Sequence, residues 1–529
     1  LTLSGKGAAL VVSNVDQIEV SRSLSGTDGV ADQGTLSLGA SARVAGSSIE
    51  MDAVKQLAIS DTAAIDTQAM GLGAQHIVLG AKSDDPTALS IEGALLAQLN
   101  ATQSVKLRSY SSIDLAGSTT LGLAGDDQIL LMNKLVLDTP ELRGLGAASD
   151  TATLQAKELT WRNTTGQVAR AESSDAHLVM RAQPPLRDTE TGGLTLGEGS
   201  KQANFASTTL QSQGDAILSG KGSLNTLGDL TIQAARLTAD TAANQSVVSQ
   251  GVLTVGKQAN AHTLNERLGA GATVALTGQR VVQDGIIDLP SGQLNLTGTG
   301  QSGQPDTVVL TAQSQTLASG WAQQAGTNWT VTAPGGNIQI AAQQGDVVLD
   351  GVLDVSAPIP TSASDTAKGA GTVTVSAVGT EGKLGAVRLG DHAQIKGSAA
   401  SDKLSGALQV DAQQMVDEGA AATTGGTLDR LVSASQAGGM HREIDVRVRQ
   451  GDQSLNTALK AQRVNLSADG GSLTLMNNGN IDATAPQGGV ISLAAQGDLV
   501  VSATSIKADS TRAGANGGDI LLSSTQGFV

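Results

Sequence analysis

The chain contains no cysteine, so neither disulfides nor thiolate metal sites can hold it together. Aromatic residues are almost missing as well: three Trp, two Phe and one Tyr stand among 529 residues. A globular enzyme of this length normally builds its core from many large aromatic units, so a narrow interior filled by Leu, Ile, Val and Ala is expected instead. No stretch of about 18 apolar residues occurs, which excludes a membrane-spanning helix. Basic residues are in deficit, 33 against 49 acidic ones, for a formal charge of −16. That balance argues against nucleic acid, which needs basic stripes, and against anionic membrane surfaces. Charged residues of either sign make up only 16%, whereas hydrophobic residues reach 40%. Disorder requires the reverse, low hydrophobicity with high charge, and is rejected for most of the chain.

What the chain has is 65 glycines and a recurring phrase, Gly-Gly-x-(Leu/Ile)-x-(Leu/Ile). It appears at Gly335–Ile340, Gly470–Leu475 and Gly517–Leu522. Between its copies lie further three-residue alternations, among them Ile49-Glu50-Met51, Ile77-Val78-Leu79, Val105-Lys106-Leu107 and Leu294-Asn295-Leu296. Strict alternation over three to five residues reads as a strand with one buried face, and the Gly, Asn, Asp and Ser between such strands supply turns. A strand this short cannot bury its own apolar face, so its repetition points to a solenoid in which each winding covers the next. Ile338-Gln339-Ile340, Val347-Val348-Leu349 and Leu353-Asp354-Val355 read as the three sides of one winding. Val373-Thr374-Val375, Val387-Arg388-Leu389 and Ile395 read as the next, with residues 357–371 as a loop expelled between them. Immunoglobulin-like arrays would bring longer repeats with Trp and Tyr markers, and leucine-rich repeats a helical half with a fixed Asn; both patterns are missing.

The expected fold is therefore all-β: a right-handed parallel β-helix with loop insertions and one short, partly helical insert. Residues 1–410 form the solenoid, 411–444 a protruding insert, and 445–529 the same solenoid continued. Alternation lapses from Asp411 to His441, where Thr427-Leu428-Asp429-Arg430-Leu431-Val432 reads as a short helix with Thr427 at its N-cap. A weaker interruption lies at Pro184-Pro185.

Three phrases carry a family resemblance: Ile286 to Leu296, Val352 to Ala357, and the Gly-Gly-x-Ile-x-Leu-x-Ala run from Gly488. Together they resemble the large exoproteins of filamentous haemagglutinin type, exported by Gram-negative bacteria through two-partner secretion. The resemblance covers nearly the whole chain, except for that family's amino-terminal secretion domain, and the ends read as cut from a longer protein. It implies a secreted, cell-surface, adhesin-like rod for attachment or matrix cohesion. The implied partners are an outer-membrane transporter and a host-cell, neighbouring-cell or matrix surface, with self-association end to end or laterally as a further possibility. The alternatives are a self-assembling fibre or sheath subunit and, less favoured, a polysaccharide lyase or glycosidase.

Reactive chemistry is sparse, and no enzyme, cofactor or metal is expected. The five histidines, His76, His177, His262, His392 and His441, have no second His at metal-ligand spacing. Asp84-Asp85 and Asp126-Asp127 sit in turns, where Asp ordinarily caps backbone N–H groups. The candidate contact residues are Trp321, Trp329, Met440 and His441.

Overall fold

The structure, a computed structural model, describes residues 2–4, 7–15, 34–126, 128–165, 174–183, 193–262, 267, 269–300, 304–324, 330–360, 366–379, 385–418 and 426–529. It divides into two compact units. Unit 1 comprises Leu1–Leu237, Asn244–Val252 and Gly256–Glu266; unit 2 comprises Thr238–Ala243, Leu253–Val255 and Arg267–Val529.

In unit 1 short strands build long parallel sheets, and consecutive strands mostly belong to different sheets, Ile77–Leu79 and Leu89–Ile91 being neighbours in one sheet. Ser104–Ser109, Ile113–Ala116 and Thr120–Leu121 enter sheets B, A and C in turn, and Lys134–Asp138, Glu141–Leu145 and Thr151–Ala156 repeat the order. Each repeat pairs with the previous one in parallel: Ser104 opposes Lys134, Ile113 opposes Leu142, and Thr120 opposes Thr153. The reason is the two-residue side-chain period. Parallel in-register pairing sets every inward aliphatic over another, as in the row Met70, Val105, Leu135, Leu159, Leu194. All five are essentially solvent-free, and each contributes about 1.5–3 kcal/mol of burial. Trp161 replaces an aliphatic in the neighbouring row between Leu137 and Leu196, and its indole N–H donates to the Thr139 carbonyl at 3.0 Å. Among the described residues of unit 1, two strands depart from the parallel rule. Ala8–Ser13 runs antiparallel along Ser48–Ala53, and Thr2–Ser4 antiparallel along Thr35–Leu38.

Unit 2 repeats the scheme with sheets A′, C′ and B′. The segments expected as three sides of a winding are three strands in three different sheets: Asn337–Ala342, Asp346–Leu349 and Val352–Asp354. Thr372–Ala377, Ala386–Leu389 and Gln394–Lys396 pair with them one for one. The inward row Leu294, Ile338, Val373, Leu408, Ile444, Val464, Ile491 then runs through sheet A′.

Two α-helices occur among the described residues, where one was expected. Helix α1, Gly93–Ala101, follows the A strand Leu89–Ile91 and precedes the B strand Ser104–Ser109, so it occupies the place of a C strand. It buries Leu95 and Leu99. Its N-terminal Glu92 makes no capping bond and its first turn has no acid, which removed the usual helix-start signals from the sequence. Helix α2, Gly426–Ala437, contains the expected 427–432 segment. It does not follow a break starting at Asp411. Ala407–Ala412 and Gln414–Asp417 still pair in sheets A′ and C′, opposite Thr372–Ala377 and Ala386–Leu389. α2 comes next, against the last B′ strand, Gln394–Lys396, before Glu443–Val448 resumes sheet A′. The helix thus stands in for one B′ strand, and the expectation of a protruding insert is corrected: Leu428, Leu431, Val432 and Ser435 form a buried face, because the apolar stripe needs cover. Pro184-Pro185 lies outside the described residues.

Candidate functional site

Helix α2 is held on several sides. Asp429 accepts a hydrogen bond from the Asn456 backbone N–H at 2.8 Å, Gln436 accepts one from the Lys460 N–H at 2.9 Å, and Arg430 pairs with Asp417 and Asp391. Its last turn closes on itself: the N–H groups of Gly438, Gly439 and Met440 donate to the carbonyls of Ala434, Gln436 and Ser435. Gly439 takes φ +78°, a left-handed conformation that suits glycine at a helix end. The N–H of Gly397 then donates to the Gly438 carbonyl at 2.8 Å, fastening the turn to the chain just beyond the strand Gln394–Lys396. A side chain at Gly438 would collide with the backbone of Ile395 and Lys396, so the approach requires glycine.

Between this turn and the strand lies a cleft of about 580 Å³. Gln394, Lys396, Ser356 and Ser398 line it from the strand side, and Gln436 and His441 from the helix side. His441 Nδ1 lies 2.8 Å from Asp402 Oδ1, and Lys460 Nζ lies 2.6 Å from Asp402 Oδ2. The hydrogen bond from Lys460 outweighs partial burial and, with His441, holds the Asp402 carboxyl below its ordinary range. The carboxylate therefore occupies one imidazole nitrogen and leaves Nε2 as the nitrogen open to a ligand.

The other expected contact residues have separate fates. Met440 is fully buried, its sulfur in the space over Gly397 and Gly406, so it is a packing residue rather than an outer contact. Trp321 is half-exposed on a two-stranded antiparallel hairpin, Trp321–Gln324 with Thr330–Ala333, and does not line the cleft. Trp329 and Asp127 lie outside the described residues. Three of the remaining histidines meet local partners: His76 lies 2.9 Å from Asp114, His177 2.7 Å from Ser207 and His392 3.2 Å from Asp350. The backbone N–H of His262 donates to the Gln213 carbonyl, while its imidazole Nδ1 is buried with no hydrogen-bond partner among the described residues. Asp85 caps Thr87, accepting from its N–H and hydroxyl at 2.8 and 2.7 Å. Among the described residues no group of three or more His, Asp or Glu could hold a metal ion.

Lys396, Gln394 and Gln436 were not singled out from the sequence. Gln394 and Lys396 merely alternate with Ile395 on an ordinary strand, and only the docking of α2 gives them a facing wall. Comparisons with protein-family models, curated proteins and solved structures find no match to the chain.

Proposed function

We propose that the chain is a segment of a secreted, adhesin-like exoprotein of filamentous haemagglutinin type, with each unit wound as a closed right-handed parallel β-helix. The carrying observation is the cyclic order of the strands. In both units strands enter three parallel sheets in a recurring cyclic order and pair in register, aliphatic over aliphatic. Winding of this kind spends the interior on aliphatic rows and the backbone on bonds between successive repeats, giving a stiff scaffold. The outward positions are mostly small and polar, suited to displaying the connections between strands. Attachment to a cell or matrix surface after export through an outer-membrane transporter is the role that fits such a scaffold.

The test is deletion of the coding region from the producing bacterium, read by attachment to surfaces and cohesion of the matrix, with electron microscopy of the cell surface. Loss of attachment and of surface fibrils is expected. Unchanged attachment, or recovery of the protein in the cytoplasm alone, would sink the reading.

A further inference from the structure

The cleft beside α2 has a chemical character at odds with the rest of the molecule. The chain carries a net charge of −16, yet among the described residues no carboxylate lines this cleft. It presents one ammonium group, one imidazole, two carboxamides and two serine hydroxyls. Lys396 is the register neighbour of Asp354 but forms no ion pair with it, and its ammonium group has no hydrogen bond or ion pair to any described residue. Asp354 instead accepts from the Ser356 N–H at 2.9 Å. The other nearby acid, Asp402, is engaged by Lys460 and His441. Gln394 is exposed, and its carboxamide likewise has no partner among the described residues.

One feature opposes an anion. The C-terminus of a helix carries partial negative charge, and α2 ends at this cleft. That charge is muted, because the carbonyls of Ala434, Ser435, Gln436 and Gly438 each accept a backbone N–H. What stays unsatisfied is donor capacity. Lys396 offers three N–H groups and Gln394 two, and serine hydroxyls and amides pair with hydroxyl groups. The walls are also preorganised: the helix end is fastened through Gly397 and Gly438, so little ordering cost falls on binding.

We propose that this cleft binds a hydroxycarboxylate, with the ligand carboxylate on Lys396 and its hydroxyls on Gln394, Gln436 and the two serines. The same chemistry has two sources, a uronic acid residue of a saccharide or a small free hydroxy acid. Such a ligand would supply the attachment role with a recognition chemistry, but the inference is read separately. The deletion phenotype tests attachment, and binding to the purified chain tests the cleft.

The experiment is calorimetric titration of the full chain with glucuronate, tartrate and glucose at millimolar concentrations. Binding of glucuronate, tartrate or both is expected, with glucose weaker by roughly tenfold or more, since only the acids engage the ammonium group. Glucuronate alone would identify the saccharide source, and tartrate alone the small acid. Lys396→Met should weaken acid binding by roughly 10- to 100-fold. Ala437→Trp, at an exposed position on the cleft wall, should block it while the circular dichroism spectrum stays unchanged. Failure of both acids to bind, equal binding of glucose, or undiminished binding by both variants would overturn the proposal.

Discussion

Individual Arg–Asp pairs of unit 1 and unit 2 use the same chemistry at different depths. In unit 1, Asp138 is fully buried and accepts from Arg108 Nε and Nη2 at 3.1 and 2.8 Å and from the Thr164 N–H and hydroxyl at 2.8 and 2.7 Å. Arg108 also lies 3.7 Å from Asp52, whose two carboxylate oxygens share the Tyr110 hydroxyl proton at 2.9 and 2.8 Å. Gly71 and Gly73 make room for such bridges. Lys106 reaches Glu50 at 3.0 Å across Gly71, and Arg108 reaches Asp52 across Gly73, because a glycine leaves the outer face of the intervening strand bare. Asp215 and Arg236 form a second covered pair, with side chains 0% and 6% exposed. In unit 2, Arg447 and Asp469 are 2.6 Å apart but 49% and 30% exposed. Distance is therefore a poor guide to consequence. A covered pair is costly to break because the survivor is an uncompensated buried charge, whereas a wet pair leaves a survivor that water accepts.

The sharpest way to break that comparison is Asp138→Ala, which should destabilise unit 1 by roughly 3–5 kcal/mol in denaturant unfolding. Its acid dependence is a companion measure. Burial raises the Asp138 pKa, but the Thr164 N–H and Arg108 outweigh it, and the net value lies below the ordinary 3.8. The stabilisation is thus present above the unfolded value and disappears as pH falls through the lower folded one. A wild-type profile identical to that of the variant below pH 4.5 would refute this.

Next in size is the contrast between the helices that stand in for strands. Leu431→Ala in α2 removes a fully buried side chain and should cost about 2–5 kcal/mol. Leu95→Ala in α1 should cost less, because Leu95 is 8% exposed and its helix has no side-chain cap at Glu92. Hydrogen exchange of each helix measures the difference, and equal losses would contradict it.

Lys201 extends the comparison to an unpaired charge within unit 1. It is 1% exposed, and its ammonium donates to the carbonyls of Gly197 and Gly199 at 2.5 and 2.7 Å. Burial lowers its pKa from 10.5 to about 8, only partly offset by Glu198. A lysine depressed in this way favours protonation of the unfolded chain, so stability rises with pH between about 8 and 10.5, by at most about 3 kcal/mol. Lys201→Met should abolish that rise in thermal unfolding scans. The smallest effect belongs to Asp469→Ala, about 0–1 kcal/mol; a loss as large as that of Asp138→Ala would erase the distinction between covered and wet pairs.

The strand triplets were legible because a two-residue alternation of aliphatic and small polar side chains has one physical reading. Ile338–Ile340, Val347–Leu349 and Leu353–Val355 could even be assigned to three sides. Helix α2 announced itself through Leu428, Leu431 and Val432, spaced for a single face. Helix α1 did not, since Gly93 opens it and no cap precedes it. The cleft was half legible: His441 stood out as a scarce residue type, but Lys396 and Gln394 look like any outward strand pair. Met440 was expected as a contact residue but is packed inside, because the glycines that accept it, Gly397 and Gly406, lie far back in the chain.

By itself the sequence determined that short strands with aliphatic faces must find cover from one another, because periodicity and composition are local properties. Tertiary structure alone decided which strands meet, that two helices take the places of strands, and which charges are covered. Those outcomes depend on pairing between residues tens of positions apart, where burial, not residue type, sets the energy of a charge.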